Sequence, residues 1–125
     1  MMPSGFPRPN ADKENGMQFE SAKQGKAVVI KAKGRMDAAS APEFEAECGR
    51  FIDQGETLLA VDLGGVEYLS SAGLRSILAT AKRLKARQGE IRFCGLTGMV
   101  QEVFSVSGFS SMFQVRPTLA DLLGG

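Results

Sequence analysis

The chain has 125 residues, 43% of them hydrophobic, which fits one compact domain and leaves no room for two. Fifteen Lys and Arg against fourteen Asp and Glu give a net charge of +1, which argues against wholesale nucleic-acid or membrane-surface binding. With no histidine anywhere, a Ser–His–Asp triad, a Cys–His dyad and a His-ligated metal site are all excluded.

Residues 1–16 are rich in Pro, Gly and charge around one isolated Phe6, so they are expected to form a flexible extension ahead of a domain over 17–125. Pro3, Pro7 and Pro9 follow the start with no apolar run behind a positive charge, which is not a signal peptide. No apolar stretch approaches the ~20 residues of a membrane span, so a soluble, cytoplasmic protein is expected. Met17, Phe19, Ser21 and Lys23 alternate with Gln18, Glu20 and Ala22 as in an edge strand. Gln24-Gly25 turns the chain into Ala27-Val28-Val29-Ile30, an antiparallel hairpin whose second strand is expected to close at Gly34. Ser40 and Glu43 match a capping box, with Pro42 tolerated in the first turn of a helix carrying Phe44, Cys48, Phe51 and Ile52 on one face. Gly55 supplies a left-handed stop.

Thr57 to Leu63 is a near-continuous apolar run, the mark of a central strand covered on both faces. A glycine loop at Gly64-Gly65 is expected before Ser70-Ser71-Ala72-Gly73 opens a second helix. Leu74, Ile77, Leu78, Ala81 and Leu84 form its stripe, and Gly89 ends it. Glu90 to Cys94 reads as a fourth strand, Thr97 to Gly108 as a third helix and Phe113 to Val115 as a short fifth strand. Thr118 and Asp121 cap a fourth helix through Leu119, Leu122 and Leu123. Alternation of this kind gives an α/β domain: a mixed, mostly parallel sheet of about five strands, four helices and an N-terminal antiparallel hairpin. Cys48 and Cys94 lie on apolar stretches without CxxC spacing and read as reduced core thiols.

Ligands and modifications on open α/β sheets gather where strands end and helices begin, which here is Asp62 to Arg75. The letters fit neither a P-loop nor a dinucleotide fingerprint. A nucleophile elbow at Ser71 would need glycine where Leu69 stands, and a histidine besides. What remains is two adjacent hydroxyls at a helix start, where serine is among the best capping residues.

The run from Val61 to Arg75, VDLGGVEYLSSAGLR, resembles the signature segment of STAS domains, in particular the bacterial anti-sigma-factor antagonists. Gly34-Arg35-Met36-Asp37 resembles the family's turn before its first helix, and Phe93-Cys94-Gly95-Leu96 and Gly108 to Leu123 also fit. The resemblance implies a STAS-like regulatory domain without catalysis, cofactor or metal of its own. Such a domain binds an anti-sigma factor, often itself a serine kinase, and so frees the sigma factor. It is switched off by phosphorylation of one signature serine and restored by a PP2C-type phosphatase. Laid on this chain, the phosphoacceptor is Ser71, with Ser70 as the rival. The partner surface is Asp37, Tyr68, Leu69, Ser70, Ser71, Ala72, Gly73, Leu74 and Arg75. Ser70 stands where the family often has Asp, Ala72 replaces a second hydroxyl, and Arg75 replaces a glycine. A STAS scaffold that is not phosphorylated and a nucleotide or small-ligand sensor are the alternatives.

Arg75, Lys82, Arg83, Lys85 and Arg87, with Arg92 beyond, read either as a solvated helix face whose late cations suit the dipole or as a surface for an acidic partner. RNA is disfavoured, because no aromatic residues interleave with the charges. Asp37 and Asp62 are expected to accept backbone N–H groups in turns rather than to work as a catalytic pair.

Overall fold

In the computed structural model, which describes residues 16–124, apolar alternation builds the expected hairpin. Strand β1 (Met17–Gln24) pairs antiparallel with β2 (Ala27–Met36). Helix α1 (Ala41–Asp53) leads to β3 (Leu58–Leu69), and α2 (Ser71–Ala86) leads to β4 (Glu90–Cys94). Then come α3 (Gly98–Val106), the single turn α4 (Phe109–Met112), β5 (Gln114–Arg116) and α5 (Leu119–Gly124). The strands lie in chain order, β1-β2-β3-β4-β5, and every pairing after the hairpin is parallel. The flexible extension expected over residues 1–16 lies, except for Gly16, outside the described residues.

Helices α1, α2, α3 and α4 cover one face of the sheet. Phe44, Cys48, Ile52, Ile77, Leu84 and Phe104 pack there on Ile30, Leu59, Val61 and Phe93. Phe93, Phe104, Phe109 and Phe113 meet edge to face at centroid distances of 5.1–5.5 Å, tying α3 and α4 to the sheet. On the other face α5 lays Leu122 against Ala27, Val29, Ala60 and Cys94. With both faces covered, residues 59–61 are all buried, as the apolar run requires. Cys48 and Cys94 are buried free thiols, and burial pushes Cys94 up to about 11.

Several boundaries differ from expectation. Strand β2 does not close at Gly34 but runs on to Met36, and β3 does not end at Leu63 but continues to Leu69. Gly64 and Gly65 carry no side chains to alternate, so the apolar pattern breaks there while the backbone ladder persists. Irregular register absorbs the extra residues: Lys31 pairs with Asp62, Lys33 with Gly65, and Arg35 with Tyr68. The capping box at Ser40 and Glu43 does not form. Ser40 stands at the N-cap but turns its hydroxyl back to the Arg35 carbonyl, and Glu43 accepts from the Met17 N–H. A fifth helix, α4, joins the four expected, because Gly108 restarts the chain into one more turn.

The end of α2 also differs. Gln88, not Gly89, takes the left-handed conformation, at φ 62°. The N–H groups of Gln88 and Gly89 donate to the carbonyls of Lys85 and Leu84, closing the helix as Gly55 and Glu56 close α1. Glycine is needed at 89 for another reason: a Cβ there would collide with the Thr57 carbonyl, where β4 starts beside β3. Gln88→Gly is therefore expected to stabilise the protein by about 0.5–1 kcal/mol, by relieving the left-handed penalty. Gly89→Ala is expected to destabilise it by about 1–3 kcal/mol. Urea denaturation of both variants checks the two signs.

Candidate functional site at the start of helix α2

The extended β2 and β3 ladder carries the chain to the carboxyl end of these two interior strands, where both hand over to turns. The last contact of this ladder is the Ser70 N–H donating to the Met36 carbonyl at 3.0 Å. Helix α2 begins at the next residue. Its N-cap is Ser70, whose extended backbone lets its hydroxyl accept the Gly73 N–H at 3.2 Å. A Cβ on Gly73 would stand 2.6 Å from Leu69 Cδ1 and 3.0 Å from the Met36 side chain. The absence of that carbon lets the first turn settle directly on the core.

The two adjacent hydroxyls are thereby separated in role. Ser70 is half-buried and engaged in the cap, whereas Ser71 is exposed at the first helical position. Nearby, the Ser71 and Ala72 N–H groups belong to a helix turn that has no intrahelical partners for them. No acidic side chain occupies that turn, and Arg75 is exposed one turn further along without an ion pair among the described residues. The field at Ser71 favours negative charge.

The other expected site residues surround this point. Tyr68 is half-buried, and the Arg35 guanidinium stacks over its ring at 4.3 Å. Ala72 and Leu74 are half-buried, while Leu69 and Gly73 are buried and support the surface from beneath. Asp37 stands at the neighbouring turn after β2. Its carboxylate accepts the Ala39 and Ser40 N–H groups at 3.0 and 3.1 Å. The Ser40 hydroxyl also lies 3.1 Å from that carboxylate and accepts the Asp37 N–H. The hydrogen bonds from Ser40, backbone first and then side chain, hold Asp37 below its ordinary value. Asp62 accepts the Gly64 N–H at 2.8 Å, the backbone role expected of it.

Arg35 went unrecognised as a site residue in the sequence. The signal that finds it is the pairing of Arg35 with Tyr68, which becomes visible only once the irregular register is known. Among the described residues no three His, Cys, Asp or Glu side chains come together as metal ligands, and no helix is long and apolar enough to cross a membrane.

Ser70→Ala is expected to cost about 1 kcal/mol through loss of the cap. Ser71→Ala is expected to change stability by less than about 0.5 kcal/mol, and chemical denaturation separates the two. The depressed Asp37 value stabilises the fold above the unfolded carboxyl's titration range. That contribution disappears as pH falls through the folded value. Asp37→Asn should therefore flatten the acid limb of the stability–pH curve, as acid titration followed by circular dichroism would show.

A sequence model described as the STAS domain matches residues 18–122. A proposed anti-sigma factor antagonist, BtrV, of Bordetella bronchiseptica is 46% identical over 88 residues, 70% of this chain and 76% of that protein. The crystal structure of an anti-sigma factor antagonist from Mycobacterium paratuberculosis superposes with a TM-score of 0.78 at 25% identity, covering 86% of this chain and 92% of that one. The Bacillus protein SpoIIAA in its phosphorylated form matches with a TM-score of 0.67 at 20% identity, covering 86% of this chain and 97% of that one. At that identity the likeness establishes the fold alone.

Proposed function

Because the chain belongs to the STAS domain family, we propose that it acts as an anti-sigma-factor antagonist switched by phosphorylation of Ser71. In this reading the unphosphorylated protein docks on a cytoplasmic anti-sigma factor through the surface around the start of α2 and frees the sigma factor. A serine kinase, either the anti-sigma factor itself or an associated protein, adds the phosphate, and a PP2C-type phosphatase removes it. The domain regulates by binding and catalyses nothing.

The observation that carries the reading is the division of labour between the two serines. Ser70 is committed to the cap, so the exposed hydroxyl available to a kinase is that of Ser71. A phosphoserine there brings about −1.5 to −2 charges and strong acceptor oxygens. Those oxygens meet unpartnered N–H groups and the positive end of a sixteen-residue helix, with Arg75 in reach of a charge-assisted bond. The phosphate is thus compatible with the fold, and its effect falls on the partner, which would have to desolvate it. A penalty of about 3–4 kcal/mol lowers affinity by more than about a hundredfold.

The test combines phosphomapping with a charge mimic. Incubation with the partner kinase and ATP, followed by mass mapping, should place the phosphate on Ser71 and not on Ser70. Ser71→Asp should melt within a few degrees of the unmodified chain, yet lose at least about a hundredfold in affinity for the anti-sigma factor. A large drop in melting temperature would show that the site serves folding. Binding unaffected by Ser71→Asp would favour a constitutive scaffold, and nucleotide binding by the isolated chain a sensor.

A further inference from the structure

The five cations from Lys82 to Arg92 divide into two groups. Arg83 pairs with Asp53 at 2.8 Å, and Arg87 donates to the Ile52 carbonyl at 2.7 Å. Arg92 bonds the Glu90 carboxylate and the Leu122 carbonyl. These three serve the fold. Lys82 and Lys85 have no ion pair among the described residues, and both line a groove of about 420 Å³.

The groove runs between the C-terminal half of α2, the start of β4 and the segment joining α4 to β5. Its apolar lining comes from Leu78, Ala81, Ile91 and Phe113, and Met112 stands in it with 56% of its surface exposed. The carboxylate at its edge, Glu90, is already held by Arg92 at 2.9 Å, so the unmatched charge is positive. A merely solvated helix face needs no such apolar floor beside its ammonium groups.

We propose that this groove is a docking site for an acidic amphipathic helix of a protein partner. Apolar side chains at helical spacing would fill the space over Leu78 and Phe113, and carboxylates flanking that stripe would meet Lys82 and Lys85. Met112, unbranched and exposed, supplies an adaptable wall. The groove begins at Leu78, one turn beyond Leu74, and its Lys82 and Lys85 lie about three to four turns from Ser71 along α2. It gives the domain a second contact that phosphorylation leaves in place, and it holds whether or not Ser71 is a switch.

The test uses the full chain, isotope-labelled, and a synthetic fluorescent peptide of roughly sixteen residues with leucines on one helical face and glutamates flanking them. The expected result is saturable binding with amide shifts at Leu78, Ala81, Met112 and Phe113. Affinity should fall by at least about tenfold in the Lys82→Glu/Lys85→Glu double variant and stay unchanged in Ser71→Asp. No binding at millimolar peptide, equal binding of a peptide with lysines in place of glutamates, or shifts confined to the first turn of α2 would each overturn the proposal. A dimer in sedimentation that the double variant dissolves would assign the groove to a second copy and overturn it. So would groove shifts produced by deleting residues 1–15 without peptide, because that segment would then be the occupant.

Discussion

The hydrogen bond from the Ser70 N–H to the Met36 carbonyl ties the last residues of β2 and β3 together at the point where α2 begins. No slack segment separates the sheet from the helix. Met36 contributes twice, through its carbonyl to Ser70 and through its side chain beneath Gly73. The backbone position of Ser71 is therefore set by a ladder and a packed helix, not by a loop. A site built on rigid elements holds its geometry better than one carried on a flexible connection. A charge added there stays where it is put, which suits a signal read by another protein's surface.

Helix α2 has a strongly graded electrostatic character. Its first turn lacks acidic residues, and Arg83 and Lys85 lie in its last turn, where the dipole favours cations. The fold then spends some of those cations internally: Arg83 binds α1 through Asp53, and Arg87 binds the carbonyl end of α1 at Ile52. These contacts orient α2 against its neighbour, while Glu45 reaches the Ser76 hydroxyl at 2.9 Å nearer the other end. One helix thus joins an exposed hydroxyl at its start to a lysine-lined groove at its far end, and α1 braces it between them.

Much of the architecture was legible in the sequence because it follows from apolar spacing. The stripe through Phe44, Cys48 and Ile52 and the run from Leu59 to Val61 state their burial directly. What was illegible depends on partners that the local spacing does not show. Gly64 and Gly65 look like a loop because glycine carries no face-to-face alternation, yet the strand continues through them, with Gly65 paired to Lys33 of β2 and Gly64 at the irregularity in the ladder. Ser40 and Glu43 satisfy the spacing of a capping box, but the Arg35 carbonyl and the Met17 N–H compete for them and win. The site followed the same rule. Its serines announced a helix start, but only the ladder tells which of the two is engaged, and only its irregular register brings Arg35 onto Tyr68.

The sequential strand order has a consequence for biogenesis. Each crossover adds its strand beside the one just completed, so the sheet can grow in the direction of synthesis without waiting for distant segments. The reverse face is different. Ala27, Val29 and Ala60 are laid down early, yet their cover, Leu122, arrives with α5. Until that helix leaves the ribosome, a nascent sheet displays a greasy flank, and it is during this interval that chaperones would find most to hold.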